Sequence, residues 1–290
     1  MNHFTPTRHA VLAATRAAFF ALAAGALAAA PASAQSLQER GEGGGVRVAF
    51  YNFKPYAYVD QNGALTGEQV EILRHILARM GVNIASEKAT EWGNLIPGIN
   101  AGRFDIVAAG MFVTEKRCRA VRFSEPTFGI QQGLVVPKGN PNGIVDYNTI
   151  RDKGLKVAAV SGSAQVGYAE KSGIDPANIV QLPDNPTAIA ALRAGRAHVY
   201  AVSAPGAREL AAGLPEQDME TTRPFSVIAG EPAIAHGAYA FRKEDGDFVD
   251  EFDAHLSAFI GTPAHIAIME KHGMSAAELP QLGTAELCGG

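Results

Sequence analysis

The feature that most constrains the fold is a rhythm. Short apolar runs alternate with amphipathic stretches, and the pattern begins twice. Val46 to Tyr51 (VRVAFY) reads as a buried strand. Val70, Ile72, Leu73, Ile76, Leu77 and Met80 then recur at helical spacing, with Gly81 as a stop signal. Strands are expected at Val82–Lys88, Phe104–Ala108 and Gln132–Pro137, with a helix over Asn94–Ala101 and a short one over Glu115–Arg119 capped by Thr114. After the turn-rich Gly139–Gly143 the rhythm restarts: strand Lys156–Val160, helix Gly162–Ser172, strand Ile179–Leu182, a helix from Asn185, and strand His198–Val202. From Ala233 it returns to a strand (Ala238–Phe241) and a long helix (Phe248–Ile260). Such alternation predicts an α/β protein with mainly parallel sheets. The late re-entry predicts two lobes joined by crossovers, with a hinge and a ligand cleft between them. The expected division is 46–138 plus 233–290 for lobe I and 139–232 for lobe II.

The first 34 residues read as an address label. They hold two basic residues, Arg8 and Arg16, an apolar stretch from Ala17 to Ala30, and Ala32-Ser33-Ala34 as a small-x-small cleavage site. That is a secretory signal peptide, which implies a periplasmic protein, followed by a flexible leader over 35–45. With 47% hydrophobic and 19% charged residues the full chain has a globular composition, and its formal charge of −4 argues against a nucleic-acid partner. In an oxidising compartment Cys118 and Cys288 would pair and close a loop over more than half of the chain. The alternative is a buried free thiol at each site.

The chemistry that is missing narrows the function. The sequence holds no P-loop, no His-Glu-x-x-His and no Gly-x-Ser-x-Gly, and its glycine-rich run precedes the first strand, on the wrong side for a dinucleotide loop. Neither a metal site nor a cofactor is expected. What stands out is aromatic: Phe53 and Tyr56 follow the first strand, Trp92 precedes the second helix, and Phe112 follows the third strand. Loops beyond the carboxyl ends of parallel strands are where such sheets bind ligands. Arg117 follows Thr114 on a short helix; its guanidinium can grip a carboxylate in a bidentate fork, with the Thr114 hydroxyl nearby. Ring faces attract a diffuse cation. These residues together describe a site for a small zwitterion. The plain alternative is that the aromatics are core and the arginine faces solvent.

From Val46 onward the chain resembles the polar-amino-acid branch of periplasmic solute-binding proteins that serve ABC importers. The resemblance is carried by Gly110-Met111-Phe112-Val113-Thr114-Glu115-Lys116-Arg117, by Val121-Arg122-Phe123-Ser124-Glu125-Pro126, and by Ala194-Gly195-Arg196-Ala197 before a strand. Within that branch it is most similar to the ectoine/hydroxyectoine-binding proteins, through Trp92-Gly93-Asn94-Leu95-Ile96-Pro97-Gly98, Ala108-Ala109-Gly110-Met111 and the ending Glu286-Leu287-Cys288-Gly289-Gly290. The resemblance implies a monomeric receptor, with no enzymatic activity, that hands its ligand to an ABC-transporter membrane permease. It implies that Arg117 holds the carboxylate, that Tyr56, Trp92 and Phe112 wall the ring, and that Gln165 contributes from the second lobe. Ser203 falls where amino-acid binders place an aspartate for the ammonium group.

One departure bears on the ligand. Ectoine binders of this kind carry a glutamate at the position of Phe53, and that glutamate would pair with the ring's amidinium. Phe53 can add a fourth wall but accepts no hydrogen bond, which leaves a betaine-like or polar amino-acid ligand as the alternative. Two other roles share the scaffold. One is a dehydratase-type enzyme, which would need an acid or base in the cleft; Glu68, Glu91 and Glu231 are the acidic residues to locate. The other is a sensor subunit that passes its closed state to a signalling receptor.

Overall fold

The computed structural model describes residues Ser36–Gly289. The segment read as a signal peptide lies outside them. Among the described residues no helix is long and apolar enough to cross a membrane.

Two sheets form the frame. The first contains β1 (Val46–Phe50), β2 (Ile84–Ala89), β3 (Ile106–Phe112), β4 (Arg122–Phe123) and β5 (Phe128–Ile130). The second contains β6 (Gln132–Pro137), β7 (Val157–Val160), β8 (Ile179–Leu182), β9 (Val199–Ser203) and β10 (Met219–Thr221). The chain then re-enters the first sheet with β11 (Ala235–Phe241), giving the order β2-β1-β3-β11-β4, with β5 also paired to β11. The second sheet runs β8-β7-β9-β6-β10. β6 therefore belongs to the second sheet, not to the first lobe as its place in the sequence suggests, and the first crossover falls at Gln131. The sheets are also less parallel than expected. β1 pairs parallel with β2 and β3, but β11, arriving from the other lobe, runs antiparallel to β3, β4 and β5. β6 likewise runs antiparallel to β9 and β10.

Helices cover both faces. The first lobe carries α1 (Leu37–Gly43), α2 (Glu68–Arg79), α3 (Leu95–Asn100) and α4 (Glu115–Cys118). The second carries α5 (Tyr147–Asp152), α6 (Ala164–Lys171), α7 (Asn185–Arg193) and α8 (Ala204–Ala212). α9 (Gly246–Ser257), α10 (Pro263–Lys271) and α11 (Thr284–Leu287) complete the chain. The apolar stripe of α2 packs with Val46, Val48, Tyr239, Phe241 and Phe252 in one core. Ala49, Leu95, Ile99, Val107 and Met111 fill the other face of the first sheet.

The expected loose leader is in fact helical. Ser36 and Glu39 form a reciprocal capping box at the start of α1, and Leu37 is only 2% exposed. Gly41 lets this helix lie close, since a Cβ there would stand 2.8 Å from Val82 Cγ1. Arg40 reaches Asp105 at 3.3 Å, beside Arg47 (2.9 Å) and Arg242 (3.1 Å), so one buried carboxylate clips the leader, β1 and the end of β11 together. Despite burial, the hydrogen bonds from Arg47 and Arg242 pull the Asp105 carboxyl down to about 2. A folded-state pKa below the ordinary value means that this stabilisation is present above about pH 4 and is lost as pH falls toward 2. Asp105→Asn is expected to cost about 2 kcal/mol at neutral pH and to flatten the fall in melting temperature on acidification. An unchanged acid profile would refute the clip.

Candidate functional site

The carboxyl ends of β1 and β3 face the amino ends of α6 and α8 across the cleft. β1 runs into Tyr51 and the turn that carries Phe53 and Tyr56; β3 ends at Phe112; a short 3-10 turn presents Trp92. From the second lobe come Val160, Ser163, Ala164, Gln165, Asn185 and Tyr200 to Ser203. The cleft is lined from both lobes and is partly open to solvent, the kind of concave site that takes a small ligand.

Six of the eight residues expected at the site line this space: Phe53, Tyr56, Trp92, Phe112, Gln165 and Ser203. Thr114 and Arg117 do not, and they sit just behind it. Thr114 caps α4, its hydroxyl accepting the Arg117 N–H at 3.3 Å. Arg117 is 8% exposed, and its guanidinium donates to the Phe112 carbonyl at 2.8 Å and to the Gly162 carbonyl at 3.0 Å and lies 5.5 Å from the centre of the Trp92 ring. Among the described residues no carboxylate pairs with it, and burial pulls its pKa down to about 10. A buried cation held only by carbonyls and a ring is short of an anion. The amino end of α6 lies on the same side: Ser163 stands at its cap position with its buried hydroxyl oxygen unpartnered. A guanidinium beside a helix amino end is chemically able to receive a carboxylate.

The two lobes are bonded to each other through this site. Tyr56 Oη donates to Ser203 Oγ at 2.7 Å, and the Asn185 N–H donates to Tyr51 Oη at 3.1 Å. Trp92 Nε1 donates to the same Gly162 carbonyl that Arg117 holds, at 3.1 Å. Burial pushes the Tyr51 hydroxyl up to about 12 and that of Tyr56 well above its ordinary value, so both remain neutral. Phe53 does face the cleft and packs with the cores of both lobes.

Four polar lining residues escaped the sequence reading: Tyr51, Ser163, Asn185 and Tyr200. Tyr51 and Tyr200 sat within apolar strand runs, and Ser163 and Asn185 read as helix openings. The end-of-strand position was the one signal available for Tyr51. The three glutamates left to locate are outside the cavity lining. Glu68 is fully buried at the start of α2, hydrogen-bonded by Gln69 Nε2 at 2.7 Å, and burial pushes its carboxyl up to about 8. Glu91 and Glu231 are exposed. Among the described residues no cluster of His, Cys, Asp and Glu could hold a metal ion.

Residues 46–274 match the bacterial extracellular solute-binding proteins, family 3, and the chain belongs to that family. A probable amino-acid ABC transporter periplasmic-binding protein of Sinorhizobium fredii is 34% identical over 262 residues, covering 89% of this chain and 87% of that one. Among solved structures, EhuB in complex with hydroxyectoine aligns with a TM-score of 0.79 and 29% identity, over 87% of this chain and 96% of that one. An ancestral arginine-binding protein bound to arginine aligns with a TM-score of 0.70 and 26% identity, over 80% and 99%.

Proposed function

We propose that this chain is the periplasmic receptor of an ABC importer and that it captures a small zwitterionic compatible solute, with ectoine and hydroxyectoine as its reference ligands. The observation that carries this reading is the buried, carboxylate-free Arg117 beside a wall of aromatic rings. The ligand carboxylate would sit between Arg117 and the start of α6, and its diffuse cation against Phe53, Tyr56, Trp92 and Phe112. Gln165 and Ser203 would contribute from the second lobe. The lobes would swing on the two crossovers, near Gln131 and Ile234, and the closed form would be offered as a monomer to a membrane permease. The likeness to EhuB supports the ligand class, and the family supports the receptor role.

The test is calorimetric titration of the purified protein with ectoine and hydroxyectoine, followed by recovery of the ligand. Binding with the ligand recovered intact supports a receptor; conversion of the ligand would favour an enzyme. The aromatic wall is tested separately. Trp92→Ala should weaken binding by about 1–2 kcal/mol, through loss of a desolvated cation–π contact. Unchanged affinity would remove Trp92 from the site.

A further inference from the structure

Among the described residues neither Asp nor Glu lines the cleft, so its cation half contains no negative charge. Its neutral acceptors are also largely engaged. Ser203 Oγ takes the Tyr56 hydroxyl at 2.7 Å and the Gly206 N–H at 3.3 Å, Tyr51 Oη takes the Asn185 N–H, and Asn185 Oδ1 takes the Tyr200 hydroxyl. On the other side, the Gln165 Nε2–H donates to Gln132 Oε1 at 3.1 Å, a bond that leaves the Gln165 carbonyl oxygen as an acceptor. Apart from that one carbonyl oxygen, what the cation half offers is ring surface. Trp92, Tyr51, Phe53 and Tyr56 form an unbroken series, with neighbouring ring centroids 5.7, 6.1 and 5.8 Å apart. Phe53 is seated by the second lobe: a Cβ at Gly206, in the first turn of α8, would stand 2.3 Å from Phe53 Cζ. Glycine at 206 thus leaves the space that the Phe53 ring fills. The buried acid Glu68, outside the lining, accepts from Gln69 and stands where a ligand in the cleft finds no partner in it.

We propose that the site selects zwitterions whose cation bears no N–H, the quaternary ammonium carboxylates of the betaine type, over N–H-bearing analogues of the same size, and that Phe53 seated on Gly206 sets this preference. The proposal rests on the zwitterion-receptor reading above and names the preferred members of its class. The reason is differential desolvation. A cation with N–H donors gives up hydrogen bonds to water that this half of the cleft replaces poorly, and each unmet donor is costly. A trimethylated ammonium has no such bonds to lose and is attracted to ring faces.

The experiment is a calorimetric series on the purified protein with glycine, sarcosine, dimethylglycine and glycine betaine, and with proline, proline betaine and ectoine. Affinity is expected to rise with methylation, with a step of about tenfold or more when the last N–H is lost. Ectoine, whose ring carries N–H donors, is expected below proline betaine. Phe53→Glu should reverse the order, favouring ectoine over proline betaine. Phe53→Leu, which keeps the position apolar, should weaken the betaines without strengthening the N–H-bearing ligands. If N–H-bearing ligands bind the native protein as tightly as their methylated partners, the selectivity proposal falls and the zwitterion receptor stands. If no zwitterion in the series binds, the receptor reading falls with it.

Discussion

Arg117→Ala is expected to lose at least about a hundredfold in ligand affinity, roughly 3 kcal/mol or more, while the ligand-free protein melts close to the native temperature. The asymmetry comes from what the guanidinium touches. It donates to the Phe112 and Gly162 carbonyls and lies against Trp92, and burial lowers its pKa to about 10. Truncation frees two carbonyls but also removes a desolvated cation, so the effects on stability largely offset each other. With a carboxylate ligand, the same truncation leaves a buried anion facing only Ser163 and the amino end of α6. Arg117→Lys should recover part of the loss, since it keeps the charge but not the fork. Near-native affinity in Arg117→Ala would end the carboxylate-seat account.

The second large effect concerns stability. Cys118 and Cys288 are bonded, as the oxidising-compartment reading expects, and close a loop with a sequence separation of 170. In the loop-entropy model a closure of that length contributes about 5 kcal/mol, as an upper bound. The bond fastens α11 to α4 amid Val113, Val121 and Leu287. Thr284 continues the attachment through Ser124 at 2.6 Å and Glu125 at 3.1 Å, and the Gln281 N–H donates to His236 Nε2 at 3.2 Å. Those contacts survive in Cys288→Ser but lose their covalent anchor. Denaturant unfolding of that variant should give a stability lower by about 3–5 kcal/mol, and adding a dithiol reductant to the native protein should reproduce the loss. A difference under about 1 kcal/mol would mean that the terminal segment is held by packing alone.

The sequence announced its strands and its main helices because burial writes a period into the chain. VRVAFY has to be inside, and the α2 stripe has to face it. Sheet membership carries no such period. QGLVVP is equally apolar in either sheet, so only the pairing with β9 and β10 assigns it to the second. The leader helix was hidden by its glycines, which weaken local propensity while Gly41 supplies the close approach to Val82. At the site, Phe53, Tyr56, Trp92 and Phe112 were legible as aromatics at strand ends. Tyr51 and Asn185 were not, because their role exists only once one lobe bonds to the other at 3.1 Å. Arg117 was legible as an arginine after a threonine cap, but its retreat behind Trp92 follows from three-dimensional packing alone.

The most direct test of the central claim is a crystal structure of the protein with the tightest zwitterion of the binding series. The expected result is a ligand between the lobes, its carboxylate within hydrogen-bond reach of Arg117 and the start of α6, and its cation against the rings of the cleft, Phe53, Tyr56 and Trp92 among them. A ligand bound in the reverse sense, with its cation toward Arg117, or bound outside the cleft, would contradict the account.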